Sequence, residues 1–87
     1  MVNEVVAPEK LMDAAHALAQ RIVEAAPIAV RAVKAVLQAT ETTSIEAGFA
    51  LLQSREIPEY GQMLDSEDAL EGPRAFAEKR AQSWKGQ

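Results

Sequence analysis

Eighty-seven residues carrying a formal net charge of −4 set the first bounds on this chain. A chain of this size is one domain at most and buries only about 60% of the surface its unfolded form exposes, so the core is expected to be thin. Cysteine is absent, which excludes disulfide staples and thiolate metal sites. The acidic balance offers no general attraction to nucleic acid or to anionic membranes.

No apolar run approaches the ~20 residues that span a bilayer, and no basic region followed by an apolar block opens the sequence. A cytoplasmic protein with neither a membrane nor a nucleic-acid partner is the expectation. Apolar residues make up 48% of the chain, yet the aromatic side chains are only Phe49, Tyr60, Phe76 and Trp84, and much of the remainder is alanine. Alanine-rich helices bury little area each, so burial against another subunit or a further domain is expected.

Residues 1–7, with Val2 and Val5-Val6 around Asn3-Glu4, read as an extended arm, and residues 8–87 as one helical domain. Pro8 suits the first position of a helix, where its missing N–H would be unpaired in any case. Leu11, Ala15, Leu18, Ile22 and Ala25 then follow at spacings of four and three, lining one helix face. His16 lies off that stripe without Cys or a second His at ligand spacing, which points to a surface residue and to no metal site. Ala26-Pro27 ends the helix and starts the next, since the residue before proline leaves the helical region. In that second helix Val30, Val33 and Leu37, with the neighbouring Ile28, Val36 and Ala32, form the apolar stripe, and Arg31, Lys34 and Gln38 the outer face.

Thr40 to Ser44 is a polar turn. Thr43 and Glu46 have capping-box spacing, with Thr43 as the N-cap of a third helix marked by Ile45, Phe49 and Leu52. Pro58 places an end or kink near Glu56-Ile57. Ser66 caps a last region whose first turn holds Glu67 and Asp68, matched to the positive end of a helix dipole. Pro73 is expected to split that region into a turn over Glu67–Glu71 and a helix from Pro73 to about Ser83. The reading is all-α with four or five helices.

Within the last helix, Phe76 and Lys79 are three apart and so share a face. A flat apolar ring beside a flexible cation suits a ligand with both an apolar part and a phosphate; the plainer alternative is a buried Phe with a solvated Lys. Carboxylates dominate from Glu56 to Glu71 and cations from Arg74 to Lys85. The helix dipole accounts for the Glu67, Asp68 and Glu71 cluster without catalysis. No phosphate-binding glycine loop, His-Glu metal spacing or Gly-x-Ser-x-Gly turn is present. No catalytic residue is assigned.

The pattern Ser66-x-Asp68-x-x-Glu71-Gly72-x-x-Ala75-Phe76-x-Glu78-Lys79-Arg80, with Trp84-Lys85-Gly86 close behind, resembles the C-terminal end of the enoyl-CoA hydratase/isomerase (crotonase) family. Val2-Asn3-Glu4-Val5-Val6 and the segment from Ala26-Pro27 to Lys34 resemble earlier parts of the same region, in the same order. Pro58 and Gly61 depart from the family pattern, which runs one long helix through this point.

The resemblance implies the last third or so of a family member, a fragment without the N-terminal ββα-repeat core that polarises the thioester carbonyl and carries the proton-moving glutamates. It also implies a segment that covers the active site and builds the oligomer. Phe76 and Lys79 then correspond to positions near the adenine and phosphates of coenzyme A, and Tyr60 to an aromatic contact from the adjacent subunit. No cofactor is implied beyond coenzyme A as part of the substrate. On its own the chain is expected to self-associate, with helices exchanged at Gly61 or Gly72, to bind acyl-CoA weakly or not at all, and to lack hydratase activity. An independent helical interaction module is the alternative, and a small enzyme using His16 or the acidic cluster a third reading.

Overall fold

The computed structural model describes residues 2–87. After a 3₁₀ turn over Pro8–Lys10 come five helices: α1 (Leu11–Val23), α2 (Pro27–Thr40), α3 (Ile45–Ser54), α4 (Pro58–Leu64) and α5 (Glu67–Ala77). No strand occurs among the described residues, so the all-α reading holds at its upper count.

Proline sets three of the starts. Pro8, Pro27 and Pro58 each stand in the first turn of their element, where a missing N–H leaves no intrahelical bond broken. Ala26, pushed out of the helical region by the ring that follows, has φ −57° and ψ 122° and makes the corner between α1 and α2. The break expected near Glu56-Ile57 is present: Arg55 turns left-handed (φ 56°) after α3, and α4 begins at Pro58.

Two boundaries differ from the sequence reading. The N-cap of α3 is Ser44, whose hydroxyl accepts the Ala47 N–H at 3.2 Å, while the Thr43 hydroxyl donates to the Thr40 carbonyl at 3.1 Å. Either hydroxyl could cap, and the tighter turn off α2 uses Thr43 to close itself. Second, Pro73 does not split the last region, because α5 runs through it and ends at Ala77, well short of Ser83. Gly72 explains the tolerance: the clash of a proline ring with the preceding residue is partly with its Cβ, and glycine has none.

The packing is shallow. α2 and α4 form the principal helix pair, and the buried apolar residues are Ile28 and Ala32 on α2, Ile57 at the head of α4 and Ala75 on α5. Of the apolar stripe expected on α2, Ile28 and Ala32 are the buried part, while Val33 and Leu37 remain exposed. α1 buries none of its residues and leaves Leu11, Leu18, Ile22 and Val23 exposed. The chain is a slab of 46 × 39 × 19 Å with a radius of gyration of 16.2 Å. A compact chain of this length would have a radius of about 12 Å. The helices therefore do not close a core of their own around their apolar faces.

Candidate functional site

The chemistry-bearing residues gather on α5 and on the extended segment that follows it. Ser66 begins this assembly: its hydroxyl accepts the Ala69 N–H at 3.1 Å, capping α5, and donates to the Met63 carbonyl at 2.7 Å, tying the cap to α4. From there Asp68, Glu71, Gly72 and Ala75 fall at helical spacing on one face. Asp68 and Ala75 are buried, and Glu71 and Gly72 half-buried.

What covers that face is residues 81–87, which have no helix or strand and fold back along α5. Asp68 receives two main-chain N–H groups, from Lys85 on Oδ1 and from Gly86 on Oδ2, each at 2.8 Å, and its own N–H donates to the main-chain oxygen of Gln87 at 3.0 Å. Glu71 accepts the Ser83 N–H at 2.8 Å and both terminal nitrogens of Arg80, at 2.6 and 3.0 Å. The forked guanidinium, followed by the Ser83 N–H, holds the Glu71 carboxyl down from 4.5 to about 2. Arg80 is raised in turn by its hydrogen bonds to Glu71 and Glu78, and Lys85 by its bond to Glu67 at 2.9 Å. The acidic cluster thus has a task beyond the helix dipole that the sequence reading assigned to it.

Trp84 leaves this segment sideways. Its ring lies over Gly72, close enough that a Cβ there would stand 3.5 Å from Cη2, and its Nε1–H donates to the Glu24 carbonyl at 3.0 Å, just after α1.

Phe76 and Lys79 do not share a helix face, because α5 ends at Ala77, between them. Arg80 donates its N–H to the Ala75 carbonyl at 3.1 Å and Lys79 donates to Phe76 at 3.2 Å. That pair of bonds is the Schellman closure of a helix, and it requires the left-handed backbone that Lys79 adopts at φ 53°. Glycine is the usual residue there; lysine stands in it at a conformational cost of about 1–2 kcal/mol. Phe76 is 83% exposed, so the alternative of a buried ring does not hold. Arg80 and Lys85 are engaged by carboxylates, whereas Arg74 and Lys79 make no ion pair among the described residues.

Tyr60 is placed elsewhere. It lies on α4, half-buried, lining an apolar cavity of about 210 Å³ with Ala32, Val36, Leu52 and Met63. The groove bounded by α5 and its return segment, about 220 Å³, is lined by Glu67, Leu70, Arg74 and Ser83 and does not include Tyr60. His16 is exposed on α1, and no three His, Cys, Asp or Glu side chains among the described residues form a metal-binding group. None of the helices described is long and apolar enough to cross a membrane. Sequence reasoning missed the partners of Asp68 and Glu71, because these are main-chain N–H groups that every residue type shares. The signals available were Gly72, which makes room for a ring, and Trp84, the single indole in the chain.

Three comparisons bear on this arrangement. A model of the enoyl-CoA hydratase/isomerase family matches residues 1–87. Carnitinyl-CoA dehydratase of Salmonella arizonae is 48% identical over 86 residues, which are 99% of this chain and 33% of that protein. The carnitinyl-CoA dehydratase of Proteus mirabilis is 50% identical over the same share of each. Among solved structures, an enoyl-CoA hydratase/isomerase from Mycobacterium paratuberculosis superposes with a TM-score of 0.84 at 31% identity, covering 97% of this chain and 32% of that one. An enoyl-CoA hydratase from Mycobacterium marinum gives 0.81 at 37% identity, covering 100% and 33%. The chain spans about a third of the length of the relatives it matches.

Proposed function

Since the chain belongs to the enoyl-CoA hydratase/isomerase family, we propose that it performs the oligomerisation and active-site-covering role of the helical third of an acyl-CoA enzyme, without catalytic activity on its own. The observation that carries this reading is the open fold: α1 buries nothing and the radius of gyration is 16.2 Å, while the whole chain matches relatives three times its length. Helices of this kind bury their apolar faces on another polypeptide surface. Those relatives are named for the dehydration of carnitinyl-CoA, and an acyl-CoA of that kind is the substrate class we assign to the assembled site.

In this reading Lys79 and Phe76 face the phosphates and adenine of coenzyme A, and Tyr60 serves as an aromatic contact from a neighbouring subunit. Lys79 supports it through its backbone. A left-handed helix terminus is most stable with glycine, and a lysine held there against about 1–2 kcal/mol of strain suits a position where the charge has a use. Exposed Phe76 beside it supplies a stacking surface.

Size-exclusion chromatography with light scattering, run with and without coenzyme A, tests the reading. A discrete oligomer supports it, and a shift on adding coenzyme A that Lys79→Ala abolishes adds the site residues. Turnover of crotonyl-CoA by the chain alone, or a monomer at high concentration, overturns it. The monomer would favour an independent module that takes a different protein as partner.

A further inference from the structure

We propose that residues 81–87 are a latch, an extended strap docked on α5 by Asp68 and Glu71 that, through Trp84, ties the corner between α1 and α2 to α5. The inward stripe of α5 is made for such an occupant. A helix that packs on another helix presents apolar side chains at its buried positions, whereas α5 presents two carboxylates, a glycine and an alanine at Asp68, Glu71, Gly72 and Ala75. The carboxylates offer acceptors to main-chain N–H groups, and the two small residues leave depth for a flat ring. The strap supplies both: N–H groups of Ser83, Lys85 and Gly86 at 2.8 Å, and the Trp84 indole over Gly72.

The far end of the strap is equally specific. The indole N–H reaches the carbonyl of Glu24, where α1 has just ended and its last carbonyls lack helical partners. α1 has no buried residue, so this bond gives the end of α1 a tether to α5 in addition to the packing of Ile28 at the start of α2. The charged groups around the latch are consistent with closure. Arg80 and Lys85 from the strap side meet Glu71 and Glu67, Glu78 shares Arg80, and Arg74 flanks Glu71 on α5. With the strap docked, the end of α1 is tied to α5; with it released, α1 loses that tether while the α2–α4 pair stays closed.

Amide hydrogen exchange on the unaltered chain tests this directly. The N–H groups of Ser83, Lys85 and Gly86 are expected to exchange at least about tenfold more slowly than in the free heptapeptide of residues 81–87. A D68N/E71Q double variant should lose that protection and shift Trp84 emission to that of the heptapeptide, with helical circular dichroism retained. Gly72→Leu, which leaves both carboxylates in place but fills the seat of the ring, should give the same red shift. Heptapeptide-like exchange in the unaltered chain overturns the proposal, as does native Trp84 emission in a D68N/E71Q chain that keeps its helices. The exchange result decides the matter whatever the stability of the variants.

Discussion

The indole N–H of Trp84 meets the main-chain oxygen of Glu24 at 3.0 Å across 60 positions of sequence. In a chain with so few buried residues, a bond between such distant segments weighs heavily on the tertiary structure. Trp84→Phe keeps a ring over Gly72 and removes the donor. Unfolding free energy is expected to fall by about 1 kcal/mol, and Trp84→Ala should cost more through lost ring contact. Urea titration followed by far-ultraviolet circular dichroism measures both; equal stability of the Phe variant would mean that water replaces the bond at no loss.

Lys79→Gly should stabilise the chain. The Schellman bonds from Arg80 to Ala75 and from Lys79 to Phe76 need a positive φ at residue 79, and lysine holds it at 53°. Glycine adopts that backbone without a Cβ clash, so a gain of about 1 kcal/mol is expected. Greater unfolded-state freedom of glycine offsets part of it. The same variant should weaken any coenzyme A response of the assembled protein, separating what the position contributes to stability from what its charge contributes to binding.

Acid should loosen the α5 region through Glu71. Its carboxyl sits at about 2 in the folded chain against an ordinary 4.5, chiefly because Arg80 donates to both of its oxygens. Over that interval the unfolded chain binds more protons than the folded one, so stability rises with pH. The contribution is complete above about 4.5 and is lost as pH falls towards 2. Glu71→Gln should flatten the slope of unfolding free energy against pH between those values, and a slope unchanged in the variant would assign it to other carboxylates.

Ser44 and Thr43 separate what the sequence could and could not settle about a helix start. Ser44→Ala is expected to cost about 1 kcal/mol, because its hydroxyl accepts the Ala47 N–H. Thr43→Ala, which removes only a bond back to Thr40, should cost less than half of that. Thermal melts of the two variants give the order directly, and the reverse order would restore Thr43 as the cap.

How far the sequence could be read follows from the same residues. Pro8, Pro27 and Pro58 act through covalent geometry, so the helix starts they mark were legible. The motif from Ser66 to Arg80 was equally legible as a family resemblance, and the match of the family over residues 1–87 agrees with it. The end of α5 was not. Charge order and the Phe76–Lys79 spacing extended the helix to about Ser83, but Lys79 takes a left-handed backbone for which a lysine gives no signal. The strap was hidden for a related reason, since its recognition uses main-chain N–H groups. Tyr60 lines the apolar cavity beside α2, whereas neither Phe76 nor Lys79 lines that cavity or the groove along α5.

Gly72 and Pro73 should behave as a coupled pair. Pro73→Ala alone restores an N–H for the Ala69 carbonyl in the middle of α5 and removes the ring clash. A gain of about 1–2 kcal/mol is expected, below the ~3 kcal/mol interior penalty because proline also limits the unfolded chain. Gly72→Ala alone should gain nothing. Its Cβ would meet Trp84 at an ordinary 3.5 Å, but a Cβ before proline is pushed out of the helical region, which cancels the better helix propensity of alanine. In the Pro73→Ala background that conflict is gone, and Gly72→Ala should then add up to about 1 kcal/mol. The double-mutant cycle therefore predicts a favourable interaction energy of roughly 1 kcal/mol between adjacent substitutions. Strict additivity in urea titrations would show that Gly72 is present for the Trp84 ring alone, and that α5 passes through Pro73 for some reason other than the missing Cβ.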